Sequence, residues 1–324
     1  MIKLGIHIIP MMPAGEVLEI IRTAEDLGYE YCLLCDEGFT TDVYVTLGMA
    51  ACKTSKIKLG PVTNGYTRHP AVTAIALATL NTLSGGRAFV NLVAGGSMVL
   101  NPMGIPRESP LAITEETIQI MRKLWSGEIV SWKGKRYSLE NAQCHLGPQE
   151  IPIWVAARGD KMLDLTGRLA DGAMLMVKAD LSTAFKIVDD SAAKANRHLQ
   201  RIYLDRIAYT EDLMREASLV YGFVILDTPP RQQKMLGLTS QDVNNIREAL
   251  ARGGAPEAAK LITPEMIRRY QIAGTPEECT AALKEVTQEN QLDIFMLNIP
   301  SGSLDANTRL MQDVRSIFSN LQNH

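Results

Sequence analysis

The sequence holds no run of roughly eighteen or more apolar residues, so no membrane-spanning helix is expected. It also lacks an excess of either charge. Its 33 Lys and Arg stand against 36 Asp and Glu, a formal net charge of −3. With a pI of about 6.0 there is no basic surface, and a nucleic-acid partner is not expected. Cysteine is sparse, at five residues. Two of them, Cys32 and Cys35, form a C-x-x-C within YCLLCDE. That spacing suits a redox pair, half a metal site, or plain core packing. The run reads as a buried strand, in which positions three apart face opposite ways. No second Cys or His pair completes a zinc site, so a structural role and no metal are expected. The opening residues, MIKLGIHIIP, lack the apolar stretch and small-residue cleavage site of a secretory signal. They read as a short first strand, and a cytoplasmic protein is expected. Internal repeats and low-complexity tracts are also missing.

What is present is apolar residue in quantity, 46% of 324 residues. That is ample for a large core, in one big domain or two ordinary ones, and α/β barrels are the usual folds that stay single at this length. Short apolar runs alternate with amphipathic stretches. The strand-like runs are Lys3–Ile9, Tyr31–Cys35, Ile57–Val62, Ala88–Val93, Ile153–Ala157, Gly172–Met176 and Asp293–Leu297. Helical periodicity marks Ala14–Leu27, Val43–Cys52, Ala71–Leu83, Thr114–Trp125, Lys161–Leu169, Phe185–Asn196, Ser240–Ala251, Pro264–Tyr270, Pro276–Glu289 and Leu304–Leu321. Thr275 and Glu278 make a capping-box pattern at the head of one helix. Apolar strands without polar alternation are parallel strands covered by helices. Repeated β-then-α order predicts a closed (β/α)8 TIM barrel as a single domain over 1–324, with a doubly wound open sheet as the alternative. Two stretches break the rhythm and are expected as loop insertions near a pocket: about 101–152, with a helix and a hairpin, and about 203–264.

Three strand ends carry candidate chemistry. Gly95, Gly96 and Ser97 follow one strand; such a pair is either a tight turn or a place where backbone approaches an anion. IPIWVAARGDKMLDLTGRLADGAMLM runs strand, Ala157-Arg158-Gly159, helix, strand. A strand feeding a helix N-terminus is a ready phosphate site, with Lys161 in the first turn. Arg158 either adds charge there or is a solvated surface residue. In IKLGPVTNGYTRHP, Pro61 removes a ladder donor near the strand end, which points to an edge or bulge aimed at a ligand.

Taken together, the first strand ending in Pro10, GPVTNGYTRHPAVTAIALATLNTLSGGRAFVNL, the IPIWVAARGDKMLDLTGRLADG stretch and IAGTPEEC resemble the luciferase-like flavin-dependent superfamily. Within it the chain is most similar to the deazaflavin-dependent methylenetetrahydromethanopterin reductases. The similarity lies in DVYVTLGMAA, VTNGYTRHP, SGGRA, KMLDLTGRLADG and ITPEMIRRYQIAGTPEEC and covers nearly the whole chain, with 197–226 shortened. The resemblance implies a barrel binding coenzyme F420, or alternatively FMN, at the strand C-termini. It implies a non-proline cis bond at Pro61–Val62 behind the ring, with Thr63 and Asn64 near the ring edge and Asp36 bonding a ring-edge group. The phosphate contacts fall on Gly95, Gly96 and Ser97, and on Ala157, Arg158, Gly159 and Lys161. Where relatives carry Asp-His, this chain has Asp36-Glu37; where the reductases carry a carboxylate in the first strand, it has His7. Glu37 is either substrate-facing or solvated, and His7 either a core histidine or a proton donor.

The implied activity is hydride transfer between a reduced deazaflavin and a C=N or C=C bond of a small molecule. His7, or failing that Glu37, would serve as the acid, a role contributing typically ~10²–10⁴-fold. The alternatives are an FMN-dependent monooxygenase and a non-catalytic flavin-binding protein. A homodimer or higher homo-oligomer is expected.

Overall fold

The computed structural model describes residues 2–36, 38–226, 228–300 and 302–322. Glu37 lies outside the described residues. Eight parallel strands close a barrel: β1 (Lys3–Ile8), β2 (Tyr31–Cys35), β3 (Lys58–Thr63), β4 (Val90–Val93), β7 (Ile153–Ala156), β8 (Gly172–Leu175), β9 (Gln200–Asp205) and β10 (Ile294–Ile299). Between β4 and β7, β5 (Val130–Lys133) and β6 (Ser138–Ala142) form a separate antiparallel hairpin. The helices α1 (Ala14–Asp26), α2 (Val43–Lys53), α3 (Pro70–Ser84), α5 (Pro110–Trp125), α6 (Asp160–Leu169), α7 (Leu181–Lys194), α12 (Pro276–Glu289) and α13 (Leu304–Gln322) accompany the strands. A one-turn helix, α4 (Ser97–Leu100), follows β4.

The strands carry apolar side chains on both faces because both faces are covered. In β2, Cys32 and Leu34 join the cluster between strands and helices. Tyr31, Leu33 and Cys35 join the cluster that fills the lumen. The two cysteines therefore face opposite ways, and neither is in a disulfide. The N-terminal half of the lumen is plugged by rings: Phe89 and Trp154 lie 4.4 Å apart between centroids, and Tyr31 and Trp154 5.1 Å. The barrel is thus a packed core with an opening only at its C-terminal mouth.

Gly60 lets β3 press against β4, for a Cβ there would sit 2.4 Å from the Phe89 carbonyl oxygen. The peptide between Pro61 and Val62 is trans, which corrects the expected cis bond; the cis bond among the described residues joins Gly147 and Pro148. β3 pairs β2 through Leu34–Pro61 and Cys35–Val62, and β4 through Val62–Asn91. Trans backbone already satisfies both ladders, and a cis bond before valine costs about 3–4 kcal/mol.

Two of the expected boundaries move. The segment 101–152 contributes α5, which packs on α3 and α6 in the ordinary place of a barrel helix. Only the stretch between α5 and β7, with its hairpin, departs from the barrel plan. The eighth strand, β9, is not legible in the sequence. Its apolar stretch is Ile202–Leu204, while Arg201 reaches out to Asp189 and to the Asn290 carbonyl. After β9 the chain forms a helix, α8 (Glu211–Leu226).

With α9 (Pro230–Met235), α10 (Ser240–Ala259) and α11 (Pro264–Tyr270), α8 forms a cap with its own apolar cluster around Tyr221, Ile246 and Ile267. α10 is interrupted at Gly253 and Gly254. The cap leaves and rejoins the barrel at one neck. There the buried Asp205 carboxylate accepts hydrogen bonds from the Ile207 amide at 2.7 Å and the Ile272 amide at 3.0 Å. Burial pushes the Asp205 carboxyl up, and these bonds with Tyr203 pull against that.

Candidate active site

Three side chains meet inside the mouth. β1 presents alternate residues to the lumen, so His7 faces inward beside its register partner Asn298 on β10. His7 Nδ1 lies 2.9 Å from Asn298 Oδ1. Cys35 Sγ, at the end of β2, lies 2.9 Å from His7 Nε2. All three residues are buried. Burial pulls the His7 imidazole down to about 4, against the raising effect of Asn298; the Arg206 charge lowers it further. At neutral pH the ring is uncharged. An amide oxygen only accepts, so Nδ1 carries the proton and donates to Asn298, while Nε2 accepts from the Cys35 thiol.

A second polar group sits outside the lumen, on the rim between β2, β3 and α2. Thr63 donates to Asp36 Oδ2 at 3.2 Å. The Arg68 guanidinium lies 3.7 Å from Asp36, 2.9 Å from Asp42 and 4.2 Å from the centroid of the Tyr44 ring. Asp42 also caps α2, accepting from the Tyr44 and Val45 amides at 3.0 Å. Burial raises the Asp36 carboxyl; Arg68 and Thr63 oppose it. Asp36, Thr67, Arg68 and Met103 line a cavity of about 290 Å³ here.

The third part is backbone. Gly95 adopts φ +76°, and a Cβ there would meet Leu100 and the Tyr66 ring at 2.9–3.0 Å. At Gly96 a Cβ would meet nothing within 4 Å. Gly159 is the N-cap of α6 and offers no side-chain cap; the nearest atom to a Cβ there is Pro229 Cγ at 4.0 Å. Arg231, from the cap, binds Asp160 at 2.7 Å and the Arg158 carbonyl at 3.1 Å, and also pairs with the buried Asp180. The Arg231 guanidinium is thus shared between two carboxylates beside a helix start that has no side-chain cap.

The expected residues fall into these parts unevenly. His7 is in the lumen. Val62 faces the lumen just below the mouth. Asp36 and Thr63 turn outward to the rim group. Pro61 lies in the β3 ladder. Asn64 is committed to its own loop: its Oδ1 accepts from the Tyr66 and Thr67 amides at 2.8 and 3.0 Å. Gly95, Gly96 and Ser97 end β4, and Ala157 and Gly159 end β7. Arg158 reaches the Val224 carbonyl of α8 at 3.4 Å. Lys161 is exposed on the first turn of α6. Sequence reasoning misses Cys35, Asn298, Arg68 and Arg231 as site residues. Asn298 has a signal, a lone amide closing the apolar run IFMLNIP; Arg231 has none, being distant in sequence from the helix it serves.

The parts suit one kind of ligand. Open glycine backbone and an arginine fit an anionic tail, and a lumen floored by Val62 and Ala156 suits a flat ring. Comparison with known proteins agrees. The chain is 35% identical over 301 residues to 5,10-methylenetetrahydromethanopterin reductase of Archaeoglobus fulgidus, covering 88% of this chain and 90% of the relative. It is 32% identical over 312 residues to the enzyme of that name from Methanolobus tindarius, covering 92% and 93%. The solved coenzyme F420-dependent tetrahydromethanopterin reductase of Methanopyrus kandleri superposes with a TM-score of 0.85 at 27% identity, covering 96% of this chain and 98% of that one. An F420-dependent secondary alcohol dehydrogenase shares the fold, with a TM-score of 0.77 at 20% identity. The family model described as luciferase-like monooxygenase matches residues 3–290, and the chain belongs to that family.

Proposed function

We propose that the chain is an F420-dependent oxidoreductase that passes a hydride to or from a C=N bond of a small molecule, in the manner of the methylenetetrahydromethanopterin reductases it resembles. The reading rests on similarity over nearly the full length to those reductases, joined to an open glycine-ended rim. Gly95, Gly96 and Gly159 would let backbone approach the phosphate, Arg158 would add charge, Arg231 would brace the start of α6 through Asp160, and Val62 with Ala156 would support the ring. A reduced deazaflavin supplies the hydride from its C5.

The protein's own contribution is chosen by the state of His7. An imidazole held near 4 is no reservoir of protons at neutral pH. Hydride addition to a cationic C=N carbon needs none, because it yields a neutral amine directly; reduction of C=C needs a proton at the neighbouring carbon. The neutral lumen therefore favours C=N. It also removes His7 from the part of imidazolium acid and leaves it as a hydrogen-bonding group at the ring.

Titration with F420 and with FMN, read by fluorescence quenching, tests the assignment. Tight F420 binding is expected, as is growth of the oxidised deazaflavin band when reduced F420 is mixed with an iminium substrate. FMN preference with oxygen consumption would instead make the chain a monooxygenase, and binding without turnover would make it non-catalytic.

Among the described residues no helix is long and apolar enough to cross a membrane. The five cysteines form no disulfide, which suits a reducing compartment, so we place the protein in the cytoplasm, as one barrel domain whose cap belongs to it. We also infer a homodimer. The outer faces of α2 and α3 expose Val45, Met49, Val72 and Ile75, although their inner faces are already packed. Helices apolar all round are normally covered. α3 carries no charged residue, so the face complements a second copy about a two-fold axis. Light scattering should give twice the chain mass for the native protein and the single mass for Val72→Glu; a native monomer would refute it.

A further inference from the structure

We propose that Cys35 and Asn298 are positioning residues: from the two strands flanking β1 they lock His7 as a neutral imidazole protonated on Nδ1, with its Nε2 lone pair held by a thiol. This lock deepens the F420-dependent role proposed for the barrel mouth and rests on it for its catalytic meaning.

Strand register brings the three side chains together. β1 lies between β10 and β2. His7 pairs with Asn298 across one ladder and lies one step diagonal from Cys35 across the other, where its own partner is Leu33. Both nitrogens are therefore met by side chains from neighbouring strands, at 2.9 Å each. The two partners differ in kind. The Asn298 oxygen only accepts, which forces the proton onto Nδ1. The Cys35 thiol then donates to Nε2, the one arrangement in which each bond has one proton. A buried ring with both bonds made does not rotate or exchange tautomers without leaving a polar atom unpaired.

The surroundings hold the ring uncharged. From β2 it meets the Cys35 sulfur and from β10 an uncharged amide. From the end of β9, Arg206 places a positive charge whose field opposes a second one. Glu216 of α8 interacts electrostatically with Arg206. Among the described residues no carboxylate touches His7. Asp36, next to Cys35 in sequence, turns outward to Thr63 and Arg68. Burial and the Arg206 charge therefore hold the imidazole neutral against the raising effect of the Asn298 hydrogen bond, and a carboxylate in place of that uncharged acceptor would raise the ring much further.

Histidine-selective 15N NMR of the intact protein, without cofactor, tests the lock directly. The His7 signals are assigned with His7→Gln. The native ring should show a protonated Nδ1, an unprotonated Nε2 and no titration between pH 5.5 and 8. Asn298→Asp should bring its titration up by ~1–3 pH units, the effect of an opposite charge at contact. The kcat profile should gain a limb at the same pH, with KM little changed. Cys35→Ala should leave Nδ1 protonated but release Nε2, seen as a changed Nε2 shift. A native ring protonated on Nε2, or titrating near 6.5, overturns the proposal. So does an Asn298→Asp protein with native shifts that do not move with pH. If that variant fails to fold, the native and Cys35→Ala spectra decide. A correct tautomer in a protein with no F420 turnover would sink the functional reading and leave the lock standing.

Discussion

Around the mouth of the barrel, the arc β10–β1–β2–β3 presents side chains, whereas the β4–β7 arc presents glycine backbone. On the first arc His7, Cys35 and Asn298 satisfy one another, and Asp36, Thr63, Arg68 and Asp42 do the same on the rim. Its polar groups are spent on mutual placement, so charge and tautomer are settled before a ligand arrives. On the second arc Gly96 and Gly159 offer room and an uncapped helix start. On the proposed function, the first arc would serve the chemistry and the second would receive the anion.

That contrast predicts opposite failures. The largest effect is expected at Gly159→Asp. Its φ of −83° and ψ of 147° suit aspartate, which is a better N-cap than glycine by only a few tenths of a kcal/mol. The variant should melt no lower than the native protein. Its carboxylate would occupy the anion's place, and F420 affinity should fall by ~100-fold, about 2.7 kcal/mol. Unchanged affinity in isothermal titration would show that the β4–β7 arc does not hold the phosphate.

A smaller effect, of the other kind, is expected at Arg68→Ala. Losing the Tyr44 stack and two partly exposed ion pairs should cost ~1–2 kcal/mol at pH 7. The loss should depend on pH. Asp36 already has its carboxyl raised by burial above the ordinary 3.8, with Arg68 opposing; without Arg68 it rises further. A raised folded value gives stability that is fully present below the unfolded value and disappears as pH rises through the folded one. The variant should therefore be nearer to native stability at pH 4 than at pH 7, by urea titration at both. An equal deficit at the two would show that Arg68 acts by packing alone.

Much of the barrel was legible, and the reason is local. Seven of its strands announced themselves because strands buried on both faces must be nearly all apolar. β9 hid because its lower end, Gln200 and Arg201, reaches the polar rim and leaves a short apolar centre. The glycine positions at the ends of β4 and β7 were also legible, since they are adjacent along the chain, while their use, tight turn or anion approach, was not. The side-chain arc was only half visible. His7 stood out as polar in an apolar strand, but its partners lie 28 and 291 positions away. The C-x-x-C pointed to packing, which holds for Cys32; Cys35 is bonded to His7 because the pleat turns it inward.

By itself the sequence determined the alternation of strand and helix, the glycine chain ends and the kinship of the fold, because each is written in residues adjacent along the chain. Tertiary structure alone decided the trans bond at Pro61–Val62, the neck that closes the cap at Asp205, and the charge on His7. Those depend on which groups barrel closure brings within hydrogen-bonding distance, and that is a property of register between strands, not of any one strand.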